Sequence, residues 1–326
     1  MKTIYHVCCG LDVHKDSIVA CILKTSPSSE ASDKKEQILK EIRTFDTFSS
    51  SLQELRDWLV VNDCHYVAME STGVYWFSVY ETLERSCDGD FELLVVNARH
   101  MKNVPGKKTD VKDAEWIADL LRCGLLRGSF IPSEDIRELR ELTRYRKNVV
   151  QDISKQKNRI EKTLQISGFK LSSFLSDIFG VTGLSLISVL VKKGYLTEED
   201  IEELAQKISV EKRTEMKKYL TNPLSKHHQK VLEIQLKYFY EQLSHLDLVV
   251  NSITEIKAKF ETEIANLDTI PGISKTAATA IVAEIGTDMS KFPTAEHLCS
   301  WAGLSPGNNE SAGKKKRQEL LTATRT

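Results

Sequence analysis

Four carboxylates stand where a globular chain would ordinarily avoid them. Asp12 closes the apolar run from Val7 to Leu11, and Glu70 closes Tyr66-Val67-Ala68-Met69, just before Ser71-Thr72-Gly73. Both runs read as β-strands, where an unpartnered charge is costly to bury. Asp110 and Asp113 follow Thr109, a good helix N-cap, and their three-residue spacing puts them on one helix face. The same face continues into the apolar stripe of Ile117 and Leu121, so both acids are expected to point at the sheet. Two acids on strand ends and two on a helix can hold a pair of Mg²⁺ ions about 4 Å apart and activate a phosphodiester for in-line attack. Singly, each acid has an ordinary reading as a turn residue, a cap or a first-turn acid favoured by the helix dipole. Together they suggest a shared cation. Lys102, Lys107, Lys108 and Lys112, around Pro105-Gly106, would suit a phosphate backbone beside it, although such a charge run can also be plain solvated surface.

Positioning these acids takes a mixed sheet covered by helices. Residues 5–10, 17–23, 42–48, 66–69 and 93–96 read as strands and 51–61 as a helix, which predicts an α/β domain over residues 1–130. Residues 131–265 read as helical. Leu232, Leu236, Phe239, Leu243, Leu246, Val250, Ile253, Phe260, Ile264 and Leu267 step by threes and fours with only Lys257 out of pattern, the signature of a coiled coil. A helix over 133–166 repeats the pattern less regularly, with Arg146 and Gln156 on its seam. Left in water, the stripe from 232 to 267 would be a large exposed patch, so it is expected to pair between chains into a homodimer or a dimer of dimers; packing against 133–166 is the competing arrangement. The helix over 133–166 also carries Arg137, Arg140, Arg144, Arg146, Lys147, Lys155, Lys157 and Arg159, a locally basic surface suited to nucleic acid.

Bulk composition adds no support for a nucleic-acid partner: of 326 residues 28% are charged, with a formal net charge of -1. The seven cysteines form no CxxC pair, which argues against a zinc site or a disulfide framework and for reduced cytosolic thiols. Neither a signal core nor a membrane-length apolar run is present, so a cytoplasmic, nucleoid-associated protein is expected.

Gly10-Leu11-Asp12-Val13-His14-Lys15, Met69-Glu70-Ser71-Thr72-Gly73-Val74-Tyr75-Trp76 and Lys108-Thr109-Asp110-Val111-Lys112-Asp113-Ala114 together resemble the DEDD transposases of bacterial insertion sequences, the group that includes the Piv DNA invertase and the bridge-RNA-guided recombinases. The resemblance implies a RuvC-like, RNase H-type fold for the first domain, with Asp12, Glu70, Asp110 and Asp113 as the metal-binding tetrad. Residues 266–326 resemble the family's C-terminal transposase domain. There, Ile270-Pro271-Gly272-Ile273 and the helix after it have the layout of a helix-hairpin-helix, whose turn offers backbone N–H groups to phosphate near Gly272 and Lys275; an αα-hairpin that simply packs is the plainer reading. By the same match Ser311, ahead of Lys314, Lys315 and Lys316, is the nucleophile. By itself, a serine in a Gly-rich loop before lysines is an ordinary flexible basic loop. After Lys316 the chain departs from the pattern, which suggests truncation or divergence.

The expected function is therefore DNA strand transfer on donor and target DNA. The resemblance alone adds a structured non-coding guide RNA. Two rival readings stay open: a RuvC-like junction nuclease using water, and an inactive truncated remnant that only binds nucleic acid.

Overall fold

The computed structural model describes residues 3–25, 37–71, 73–86, 91–97 and 110–304, together with the pairs 310–311 and 314–315; at 110–112 and in those two pairs the description is of the backbone. The chain forms two compact units, Met1–Ile131 with Ser290–Thr326, and Pro132–Met289.

The first unit is built on a five-stranded sheet of β1 (Val7–Val13), β2 (Ile18–Thr25), β3 (Ile38–Phe45), β4 (Tyr66–Glu70) and β5 (Glu92–Val96), in the order β3-β2-β1-β4-β5. β2 runs antiparallel to β1 and β3, whereas β4 and β5 continue parallel to β1. This is the mixed RNase H-type topology that the resemblance implied. The antiparallel neighbours β1 and β2 join through a tight turn in which the His14 N–H donates to the Ser17 carbonyl, 2.9 Å. Parallel neighbours need crossovers, supplied by α1 (Ser49–Val61) between β3 and β4 and α2 (Trp76–Glu84) between β4 and β5. Central β1 is buried on both faces, which is why it reads as a continuous apolar run rather than an alternating one. Cys9, Leu11 and Val13 pack with Leu52, Leu55 and Val79 of α1 and α2, while Cys8 packs with Ala114, Ile117, Ala118 and Leu121 of α3 (Asp110–Arg122).

The second unit is helical. α4 (Glu134–Ile166) lies antiparallel to α8 (Lys226–Lys257), and α5 (Val181–Lys193), α6 (Glu198–Leu204) and α7 (Val210–Leu220) form the insert between them. Leu232, Leu236 and Phe239 share a core with Val149, Ile153, Ile160 and Leu164 of α4 and with Leu186, Ile201 and Met216 of the insert. Val249 and Ile253 share a second core with Ile136 and Leu139 of α4, joined by Ile264 of α9 (Glu261–Asp268) and Ala278 and Val282 of α10 (Lys275–Ile285).

Much of the apolar stripe is therefore covered within its own chain, the arrangement that competed with pairing between chains, while Leu248 and Val250 stay exposed. The stripe also changes register, with Val249 buried and Val250 exposed, and breaks at a 3-10 turn, Ala258–Phe260. Gln156, which made the α4 seam look irregular, is buried but satisfied: its Nε2 donates to the Gln235 carbonyl at 2.9 Å and its Oε1 accepts from Arg159 Nη1 at 3.2 Å. Residues 266–289, expected to belong with the C-terminal domain, fall in this unit, with Ala278 and Val282 in its core.

Candidate active site

Alternation along the strands decides which acids can meet, because residues two apart share a face. Cys8 on β1 and Ala68 on β4 both pack on the α3 side of the sheet, so Asp12 and Glu70 share that side. The parallel register Gly10↔Ala68 and Leu11↔Met69 brings them to the ends of neighbouring strands, about 5 Å apart in backbone. Asp12 lies inside the ladder opposite Val19, one residue before the end of β1, while Glu70 is the last residue of β4 and pairs with Val96.

α3 delivers the remaining acids. Near its C-terminus the Arg122 carbonyl accepts from the N–H groups of Ile4 and Tyr5 at 2.8 and 3.2 Å, and farther up the Cys8 thiol donates to the Ala118 carbonyl at 3.4 Å. The helix thus runs antiparallel to β1, and its first turn reaches the strand end that holds Asp12. Gly10 permits this. A Cβ there would lie 2.3 Å from the Ala114 carbonyl oxygen and 2.4 Å from the Ala118 nitrogen, so the helix rests directly on the strand. Asp113, immediately before Ala114, is half-buried, as is Glu70, and Asp12 is buried. Asp110 opens the helix one turn earlier, and its side chain lies outside the described residues.

The sequence reading assigned no role to His14, whose Nε2 lies 3.1 Å from Asp12 Oδ2. Its position two residues after Asp12 was the available signal. Gly10 was likewise passed over, although a glycine inside an apolar strand marks a close approach of backbone.

Among the described residues no three His, Cys, Asp or Glu side chains converge into a ready metal cluster. The chemistry of the donors nevertheless fits a hard divalent cation such as Mg²⁺, since the acids gathered here offer oxygen. Soft ligation is disfavoured: burial pushes the Cys8 thiol up to about 12 and the Cys21 thiol up to about 11, so both stay protonated.

Other expected contacts lie elsewhere. Glu310–Ser311 and Lys314–Lys315 form an antiparallel pair with Ser311 opposite Lys314. Lys102, Lys107 and Lys108 lie outside the described residues, and Lys112 is in the first turn of α3 with its side chain undescribed. Several basic residues of α4, expected on nucleic acid, have protein partners. Arg137 Nη1 donates to the Pro132 carbonyl at 2.8 Å, and Arg140 donates through Nε and Nη2 to the Ala283 and Glu284 carbonyls at 3.0 and 2.8 Å, satisfying the C-terminal end of α10. Arg144 holds both Glu284 carboxylate oxygens at 2.8 Å, and Lys155 pairs with Asp152 at 2.9 Å. A run of cations in sequence does not reveal which anion it serves. The turn between α9 and α10 is built as expected for a helix-hairpin-helix: Gly272 has φ +91°, open space surrounds it, and Ser274 caps α10 by accepting from the Ala277 N–H at 3.3 Å. Lys275 lies 3.4 Å from Glu261.

No curated protein matches the chain. Similar solved structures include Thermus thermophilus RuvC (TM-score 0.29) and T. thermophilus RuvC in complex with a Holliday junction substrate (TM-score 0.27), each 10% identical and matched over 38% of this chain and 99% and 100% of theirs. A transposase family model, the DEDD type of IS110, matches residues 9–168 and so takes in the strands and helix that carry the acids. A second, described as Transposase IS116/IS110/IS902 family, matches residues 264–324, from the helix-hairpin-helix past Lys316. With the acids of β1, β4 and α3 inside the first match and Ser311 inside the second, the chain belongs to the IS110 family of DEDD transposases.

Proposed function

We propose that this transposase cuts and rejoins DNA strands with Asp12, Glu70, Asp110 and Asp113 as a Mg²⁺-binding set and Ser311 as the nucleophile. The observation that carries the reading is the arrival of Asp12, Glu70 and Asp113 on one face and at one end of the sheet, with α3 held there by Gly10. Bound Mg²⁺ would polarise the scissile phosphate and offset the charge that builds on its oxygens. Asp12 and Glu70 orient from the strand ends, Asp110 and Asp113 from the helix, and His14 steadies the Asp12 carboxylate. The Ser311 Oγ attacks phosphorus, loses its proton, and forms a phosphoserine link as one strand's hydroxyl leaves. A hydroxyl of the second strand then attacks that link and restores the serine. Bond energy is conserved, so no nucleotide cofactor is required. Lys314 and Lys315 are suited to neutralising phosphate beside Ser311, and the turn at Gly272 and Lys275 to holding backbone phosphates without reading bases. A structured non-coding RNA pairing with donor and target DNA is part of the proposal on family grounds.

The test is a Mg²⁺-dependent joining assay on donor and target DNA, with denaturing gels to catch a covalent protein–DNA adduct. The parent chain should form the adduct, and Ser311→Ala should form none and join nothing. If Ser311→Ala still cuts branched DNA, water is the nucleophile and the serine assignment is wrong.

A further inference from the structure

The segment that carries Ser311 belongs to the same compact unit as the sheet. It includes α11 (Ala295–Trp301), a helix with no buried residue. What it presents is a pair of aromatic rings. Phe292 and Trp301 both meet Phe130 edge-on, with centroids 5.3 and 6.1 Å away, and each other at 5.5 Å. Edge-to-face contact is the favoured geometry for such rings. All three are half-buried.

Phe130 is fixed from behind. Gly128 bridges antiparallel to Val96, the Ser129 N–H donates to the Val95 carbonyl at 2.7 Å, and Ile131 packs into the core on the α1 and α2 side. Residues 128–131 therefore form a strap along the outer edge of β5, and the ring stands on that strap. β5 neighbours β4, the strand that ends in Glu70.

We propose that Phe130, with Phe292 and Trp301, is a positioning joint that seats the serine-bearing segment on the carboxylate unit. The proposal rests on the reading of Ser311 as nucleophile. Ser311 is ten residues beyond Trp301, a tether of at most about 35 Å, whereas the end of β4 is about 5 Å from β5. Seated, the serine is confined to a volume that includes the carboxylates. Released, it ranges over a far larger one, and its effective concentration at the scissile phosphate falls with that volume.

The experiment uses the full chain and compares strand joining with the Mg²⁺-induced rise in melting temperature. Phe130→Ala should lower joining by about tenfold to a hundredfold and leave the Mg²⁺-induced rise intact, which a general loss of structure would not do. Trp301→Ala should give a similar loss, and the double variant should be no worse than either single one, because both act through one joint. Phe130→Tyr, which keeps the ring, should restore joining. If Phe130→Ala alone melts early, Phe292→Ala probes the joint from the other side. Parental joining by Phe130→Ala, or losses that multiply in the double variant, would overturn the joint. Ser311→Ala run in parallel keeps the readings apart: joining by that variant sinks the serine assignment, whereas its inactivity beside a fully active Phe130→Ala sinks the joint alone.

Discussion

Replacing Gly10 by alanine adds one carbon at the contact between β1 and α3. That carbon would sit 2.3 Å from the Ala114 carbonyl oxygen and 2.4 Å from the Ala118 nitrogen, both backbone atoms of a helix that is itself clamped to the sheet at Arg122. No side chain can swing aside. Reaching ordinary contact requires the first half of α3 to lift by about 1 Å, and overpacking of this kind costs about 1–3 kcal/mol. At about 2 kcal/mol the melting temperature should fall by about 4–8 °C. The chemical consequence should be larger than the thermal one, since Asp113 adjoins the displaced Ala114, and a 1 Å misplacement can cost about a hundredfold in rate. Differential scanning fluorimetry with and without Mg²⁺, followed by the joining assay, measures both. Gly128→Ala is the control, since its added carbon would lie 2.6 Å from Leu94 Cδ1, the movable end of a side chain. The reasoning is refuted if Gly10→Ala melts like the parent, keeps the full Mg²⁺-induced rise and joins DNA at the parental rate.

Asp113→Asn should melt no lower than the parent without Mg²⁺ and should lose the Mg²⁺-induced rise and joining together; a large drop in metal-free stability would make Asp113 a structural partner instead. Ile253→Asp places a charge in the core shared by α4, α8 and α10, so about 4 kcal/mol or more should be lost and circular dichroism should show unfolding of the helical unit; folded, soluble monomers released from an oligomer would restore the stripe as an interface between chains. Burial would raise the Glu284 carboxyl, but the Arg144 hydrogen bond and the charges of Arg144 and Arg140 outweigh it and hold the group below its ordinary value of 4.5. Its contribution is therefore fully present above that value and is lost as pH falls through the lower folded value, so urea titrations from about pH 6 to about pH 3 should show a decline that Arg144→Gln flattens; an identical slope in the variant would show that the pair carries no linkage.

The strand positions of Asp12 and Glu70 were legible because a carboxylate on an apolar strand is a chemical anomaly, and anomalies survive in a bare sequence. The sheet was legible for a related reason, as the apolar runs alternate with helical periodicity. The cover over the α8 stripe was not. A period of 3.6 says that a face must be buried and leaves open what buries it, and the true partner, α4, was disguised by Gln156, which is polar on the seam because it serves the Gln235 carbonyl. One irregularity did carry information: Lys257, the residue out of pattern in the stripe, is the last residue of α8. The partners of the α4 arginines were hidden for the opposite reason. Arg140 and Arg144 are basic because the end of α10 supplies carbonyls and Glu284, anions and dipoles far away in sequence.

The same geometry explains why the site should depend on a cation rather than merely tolerate one. Asp12 and Glu70 stand on neighbouring strands about 5 Å apart in backbone, and Asp113 comes in from α3 on the same side, so ionised carboxylates gathered there would repel one another. The fold offers two partial remedies. His14 lies beside Asp12, and Asp110 and Asp113 stand in the first turn of α3, where free N–H groups favour an anion by about 0.3–1 kcal/mol each. The close contact at Gly10 that rests α3 on β1 also keeps Asp113 beside the strands. A divalent ion bound among the oxygens would remove the repulsion and stabilise the unit, which is why metal affinity and thermal stability should rise and fall together in this protein.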